Sequence, residues 1–239
     1  MFSGELGEAN EDVSQFVKIL PNQDEKWGWL LRNIVSCTSS GSVLIFVTKK
    51  ADSEDVASRL KNADHKVGLI HGDLHQSERD KVLHQFKKKE MPILVATDVA
   101  ARGLDIPSIR TVINFDVARD IDTHTHRIGR TGTYMSYAIK ETLVCSKTES
   151  CVVDIFLKNR FTDFEYEHSF YFTGRAGETG MAYTLMTDKD KEFAPHLVRN
   201  FEGANQHVPD KLMDLASQCS WFKKNRFSSG KGNDMALTV

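Results

Sequence analysis

Four short apolar runs, spaced by amphipathic stretches, most limit the folds open to this chain. They are "VLIFV" (43–47), "KVGLI" (66–70), "ILVA" (93–96) and "TVINF" (111–115). A strand with one wet face alternates in polarity, whereas a run apolar on consecutive residues has both faces covered, as in a parallel sheet. The stretches between them carry helical spacing. "SEDVASRLKN" sets Val56 and Leu60 inward, and "QSERDKVLHQFKKK" aligns Val82, Leu83 and Phe86 on one face. Ahead of them, "DVSQFVKIL" (12–20) reads as a strand. "DEKWGWLLRNIVSCTSSG" reads as a helix with Trp27, Leu30, Leu31, Ile34 and Val35 inward, stopped at Ser40-Gly41. "MAYTLMT" (181–187) is another strand. The helix after it is expected to open on a capping box of Thr187 and Asp190 and to close at Gly203, and a last helix starts with Pro209 in its first turn. The expected fold is α/β, a mostly parallel sheet with helices on both faces.

Composition narrows the class. The chain has 239 residues, 40% hydrophobic and 27% charged, which suits a globular domain. No apolar run approaches the roughly 18 residues of a membrane span, and "MFSGELGEANEDV" has no leader pattern. Cys37, Cys145, Cys151 and Cys219 show no CxxC spacing and read as reduced thiols of an intracellular protein. His71, His75 and His84 form no metal set, so no metal ligands are assigned. With a formal net charge of −2, any binding of nucleic acid depends on a local site. The expected organisation is a strand and linker over 1–23, a domain over 24–216, and a basic Gly/Ser-containing tail over 217–239. That tail, with "KKNRFSSGKGND", is either a disordered end or an auxiliary RNA contact.

Polar residues follow the strand ends directly: Thr48, His71-Gly72-Asp73, Thr97-Asp98 and Asp116. Ligands of such sheets bind beyond the carboxyl ends of the strands. "HRIGRTG" (126–132) sets Arg127 and Arg130 as a phosphate site would, because guanidinium groups match phosphate oxygens two at a time. With a third arginine at position 8 of the motif, the three would lie near one helical face. The alternative is a solvated basic helix end. In "VATDVAARGLDIP" (95–107), Thr97 can donate a hydroxyl to a phosphate, Gly103 admits close backbone approach, and Asp105 can accept from a ribose hydroxyl. The alternative is a capped strand–helix turn. "HGDLHQSER" (71–79) sets a glycine turn before a helix start suited to phosphate, with Gln76 and Arg79 on one face. Here the alternative is capping plus a surface arginine.

One segment breaks the order. Residues 133–174 hold nine of the chain's 22 aromatic residues and two of its four cysteines, with no Gly or Pro before Gly174 and no sustained period. A connection this long in a compact domain marks an insertion. With the 42 residues removed, the sequence reads "HRIGRTGRAGETGMAYTL", and Arg175 supplies the third arginine.

In this order and spacing, "VLIFVTKK", "HGDLHQSER", "VATDVAARGLDIP" and "HRIGRTG" resemble motifs IV, IVa, V and VI of the DEAD-box RNA helicases, in their second, C-terminal RecA-like domain. The resemblance runs from about Asp12 to Ala216, the inserted segment apart. It implies a lobe of an enzyme that hydrolyses ATP with Mg²⁺ and locally unwinds RNA together with an N-terminal RecA-like lobe. By resemblance, Thr97, Gly72, Gln76, Arg79 and Thr48 contact the RNA backbone, while Asp105, with Arg102 and Gly103, holds ATP. Arg130 and Arg175 are arginine fingers, and His126 and Arg127 link the lobes. The resemblance also implies a nuclear protein, with a possible cytoplasmic share, and splicing proteins among its partners. No "GxxxxGK[ST]" or "DEAD" occurs, so the metal and most of the nucleotide would be held by the other lobe, and this chain alone is expected to hydrolyse no ATP. Two other readings stay open: a non-catalytic RNA- or protein-binding module, and a product of unspliced message over 133–174.

Overall fold

The computed structural model describes residues 13–101, 109–131 and 180–228. In chain order these form β1 (Val13–Ile19), α1 (Gln23–Ser40), β2 (Ser42–Phe46), α2 (Lys50–Asn62), β3 (Val67–Ile70), α3 (Gln76–Lys87), β4 (Ile93–Ala96), α4 (Asp98–Ala101), β5 (Ile109–Asn114), α5 (Ile121–Ile128) and β6 (Gly180–Met186). A single 3-10 turn (Asp188–Asp190) then leads to α6 (Ala194–Gly203), α7 (Asp210–Ala216) and α8 (Ser220–Ser228). The six strands make one parallel sheet in the order β1-β6-β5-β2-β4-β3.

The apolar runs of β2 and β4 follow from their interior places. Every residue of both strands is buried. Val43, Ile45 and Val47 pack with Trp29 and Leu30 of α1 and with Val56 and Leu60 of α2. Leu44 and Phe46 point the other way, into a cluster with Phe86 of α3 and Val112 of β5. Each aliphatic side chain so buried stabilises by about 1.5–3 kcal/mol. Gly68 in β3 permits the approach of α3, since a Cβ there would sit 2.8 Å from Val82 Cγ1. Gly41 ends α1 at φ 149°, a conformation open to glycine.

Several expectations are corrected. Val35 is 63% exposed, and the buried stripe of α1 runs through Lys26, Trp29, Leu30, Ile34 and Cys37. The Thr187–Asp190 capping box is present, but it opens the 3-10 turn rather than α6. Gly203 is the last helical residue, with Ala204 as the cap, and Pro209 caps α7 rather than joining its first turn. β1 is paired along seven residues with β6, so it belongs to the sheet as well as leading into it. The fold also continues past Ala216: Cys219 and Phe222 join the cluster formed by α6 and α7. No described helix is long and apolar enough to cross a membrane.

Candidate functional site

The carboxyl ends of β2, β3, β4 and β5 lead into Thr48, Gly72, Thr97 and Asp116, and hydrogen bonds tie these exits together. The Thr48 amide donates to Asp116 Oδ2 at 3.0 Å, and the Thr48 hydroxyl donates to the Val117 carbonyl at 3.4 Å. The Thr97 amide donates to the Ile70 carbonyl, and the Thr97 carbonyl accepts from Ala100 and Ala101, which starts α4. On α3, Arg79 Nη2 donates to the Ala100 carbonyl at 3.1 Å and Nη1 to Gln76 Oε1 at 3.4 Å, while the buried Nε has no partner. Gln76 is held by Asp80 at 2.8 Å. This edge is open to solvent: Thr48, Gly72 and Gln76 are exposed and Arg79 half-buried, although Thr97 is buried. Lys50 Nζ lies here too, 2.6 Å from Asp73. Hydrogen bonding and the charge of Lys50 hold the Asp73 carboxyl below its usual range.

The other half of the site is α5. Its N-cap is Asp120, whose Oδ1 accepts from the Thr123 amide at 2.7 Å. A hydrogen bond from the Thr123 hydroxyl, with that from its amide, keeps the Asp120 carboxyl below the usual carboxylate range. The helix turns two polar residues inward. Arg127 is 2% exposed. Its Nε and Nη2 grip both oxygens of Asp98 at 2.6 and 2.8 Å, and Nη1 donates to the Asp116 carbonyl at 2.7 Å and more weakly to Asn114 Oδ1 at 3.4 Å. The guanidinium also lies 5.0 Å from the centre of the Phe46 ring. A two-pronged pair of this kind fixes orientation as well as charge, so Arg127 ties the start of α4 to the end of β5. His124 is fully buried, and burial, then the charge of Arg127, pushes its pKa down to about 3. Its Nε2 meets Gln15 Oε1 at 3.2 Å, which assigns the ring proton to Nε2, and Nδ1 has no partner. Gln15 passes the chain on to Asn200 at 3.1 Å, so α5 is anchored to β1 and α6.

α5 ends at Ile128, with Gly129 as its cap. Arg130 therefore stands in the turn beyond, and Thr131 bridges to Ile109. Arg127 points into the domain from the helix, whereas Arg130 is presented by the turn beyond it. Burial lowers the pKa of Arg130, yet a guanidinium stays charged. Phe46, Asp98, Ala101, His126, Arg127 and Arg130 line a common cavity of about 280 Å³. The expected residues thus divide into two adjoining groups. Thr48, Gly72, Gln76, Arg79 and Thr97 mark the β2–β4 edge, and His126, Arg127 and Arg130 line the cavity. Arg102, Gly103, Asp105 and Arg175 lie outside the described residues. The sequence reading missed Asp98 as the partner of Arg127 and missed His124, although the spacing of residues 124 and 127 would place both on one side of a helix.

Residues 25–134 match the family model described as the helicase conserved C-terminal domain. The chain is 56% identical over 229 residues to ATP-dependent RNA helicase DDX42 of Gallus gallus, covering 96% of this chain and 20% of the relative. Over 231 residues it is 39% identical to the probable ATP-dependent RNA helicase ddx42 of Dictyostelium discoideum, covering 97% and 19%. The chain spans about a fifth of the length of the curated relatives it matches. The yeast DEAD-box splicing factor Prp28 superposes with a TM-score of 0.62 at 21% identity, over 87% of this chain and 37% of that one, a likeness of fold. A DEAD box protein from Methanococcus jannaschii superposes with a TM-score of 0.53 at 26% identity, over 84% and 41%.

Proposed function

From the premise that this chain belongs to the DEAD-box helicases and carries their C-terminal RecA-like domain, we propose that it serves as one half of an ATP-dependent RNA helicase. The observation that carries this reading is the cavity at the strand ends, where Arg127 and Asp98 join the two motif segments and Arg130 adds a cation to the wall. That lining fits a polyphosphate, because Arg130 brings to the wall a guanidinium, a group that matches phosphate oxygens two at a time. ATP supplies the phosphoryl group whose loss drives the cycle, and arginine fingers stabilise such transfers by roughly 10³–10⁵ in rate. In this assignment Arg130 and Arg175 are the fingers. Asp105, with Arg102 and Gly103, holds the nucleotide, and Mg²⁺ belongs mainly to the partner lobe. Thr48, Gly72, Gln76, Arg79 and Thr97 bind the RNA backbone, which carries no sequence information directly. His126 is exposed, as a contact to the N-terminal lobe requires. Arg127 has its donors engaged at home, so it would link the lobes by fixing α5. A nuclear location and splicing partners complete the proposal.

A non-catalytic binding module is the second reading, and one observation favours it: the family match stops at residue 134, where the inserted segment begins. Against it, β5 and β6 flank the segment in sequence and are parallel neighbours in the sheet, which supports an insertion looped out of an intact domain. The test is RNA-stimulated ATP hydrolysis by this chain joined behind the P-loop lobe of a relative, with and without residues 133–174. Turnover in both forms is the expected result and would return Arg175 to the side of Arg130. Turnover only after deletion leaves the natural chain as a binding module. If neither form turns over, the enzymatic reading is wrong.

A further inference from the structure

Arg127 and Lys26 are the two bulkiest fully buried side chains among the described residues, and both are cations. They sit on different helices, α5 and α1, yet they act on neighbouring atoms. Lys26 Nζ donates to the Phe115 carbonyl at 3.2 Å, and Arg127 Nη1 donates to the Asp116 carbonyl at 2.7 Å. Consecutive carbonyls at the exit of β5 are thus held by two buried positive charges. The amides of the same two residues both turn to the Phe46 carbonyl, at 3.0 and 3.4 Å. The Asp116 side chain then accepts the Thr48 amide. Behind Lys26 stands Asp190, 3.7 Å away, an ion pair too long for a hydrogen bond. Asp190 is itself fixed by the Thr187 amide and hydroxyl at 2.7 and 3.0 Å.

As a source of stability this arrangement is poor. An ammonium group has three protons to place, and the contacts found for Lys26 are one carbonyl and one distant carboxylate. Burial lowers its pKa, against the pull of Asp190 and Asp116. Replacing a whole buried pair with apolar side chains is often neutral or stabilising, whereas removing one partner leaves the other uncompensated; here that partner is Asp190, which keeps its bonds to Thr187. What the charge does supply is a fixed direction for the Phe115 carbonyl, and so for Asp116, which touches both halves of the site.

We propose that Lys26 is a positioning residue: its hydrogen bond to the Phe115 carbonyl sets the β5 exit so that Asp116 holds Thr48 on the RNA edge and Arg127 on the cavity side in register. The positional part stands on geometry alone, and its consequence for turnover rests on the function proposed above.

The experiment is Lys26→Met in this full chain, followed by thermal unfolding and residue-resolved amide exchange. The variant is also joined to the P-loop lobe for RNA-stimulated ATP hydrolysis. The melting temperature should fall only modestly, since Asp190 keeps its Thr187 bonds, while exchange of the Thr48 and Asp116 amides quickens about tenfold, the worth of one hydrogen bond. Interior amides of β2 and β4 should keep their protection. Maximal turnover should fall about 10²-fold, as for a displacement near 1 Å, with a smaller loss of RNA affinity. Wild-type exchange at Thr48 and Asp116 would overturn the proposal. So would faster exchange throughout the sheet, the mark of a merely structural residue. If the methionine variant does not fold, Lys26→Leu, which likewise has no donor for the carbonyl, is judged by the same exchange criteria. Faster exchange at the two amides with no turnover even in the unaltered fusion would uphold the positioning and defeat the enzymatic reading.

Discussion

The two halves of the site handle charge in opposite ways. Around the β5 exit and α5, the polar groups are buried and spent on one another: Arg127 on Asp98 and Asp116, Lys26 on Phe115, His124 on Gln15. Along the β2–β4 edge they are mostly at the surface, and their partners are exposed too, as in Gln76 with Asp80 or Lys50 with Asp73. The first half is built to hold a shape, because a buried charge that loses its partner is costly. The second half is built to exchange partners, because surface pairs contribute little and give way to a phosphate. Placing atoms and binding a polyanion are thus divided between regions that share the Asp116–Thr48 hydrogen bond.

The comparison breaks hardest at Asp98. Asp98→Ala strands Arg127, whose side chain is 1% exposed, and removing one partner of a buried pair costs about 3–5 kcal/mol. Chemical denaturation of the chain should show a loss of that order. Replacing both partners with apolar residues, Asp98→Leu with Arg127→Met, should recover most of the stability without restoring function. If the single change costs nothing, the buried half does not depend on its charges.

Acid should separate the halves next. His124 titrates near 3 in the fold and near 6.5 when unfolded. Its folded pKa is depressed because the neutral ring is the form that fits, so the unfolded chain binds the extra proton. Its contribution is full above about pH 6.5 and is lost as pH falls from there toward 3. Unfolding free energy measured across that window should slope downward with acid, and His124→Gln should flatten the slope. An unchanged slope in the variant would place the titrating group elsewhere.

A smaller effect is expected from Arg79→Ala on the open edge. RNA affinity should fall to a similar degree for every sequence tested, and the salt dependence should shrink by about one phosphate contact. Stability should change little, since Arg79 gives up two hydrogen bonds, one of them long. A sequence-selective loss would show that this edge reads bases.

How far these regions were legible in the sequence follows the same division. Interior strands announced themselves, since "VLIFV" and "ILVA" are apolar throughout only because both faces are covered. Residues at the strand exits could be picked out because the fold class alone puts ligands there. The buried polar half was hard to see. "IDTHTHRI" hides α5, for its inward residues include His124 and Arg127, and hydrophobic periodicity looks for the reverse. Lys26 carries no sequence signal of burial, yet it lies on the same stripe as Trp29, Leu30 and Ile34. In α8, two adjacent aromatics ahead of a basic run read as the beginning of a tail, although Phe222 is core. Pattern reading assigns polar residues to solvent, and it fails where a fold buries charge in order to aim something.

The smallest effect expected is a gain. Lys50 is joined to Asp73 at 2.6 Å and to Glu54 at 3.8 Å, with all three side chains well exposed. Hydrogen bonding and the charge of Asp73 and Glu54 raise the pKa of Lys50, which stays a full cation at neutral pH. Its charge is nevertheless masked beside Thr48 and Gly72, where the RNA backbone is proposed to run. Asp73→Asn removes the closest mask and leaves the fold untouched. Melting should not move, while RNA affinity at low salt should rise modestly and the dependence on salt should steepen by about one counterion. The same change paired with Lys50→Ala should cancel the gain. A gain that survives the second substitution would mean that Asp73 opposes the RNA directly, rather than by occupying Lys50.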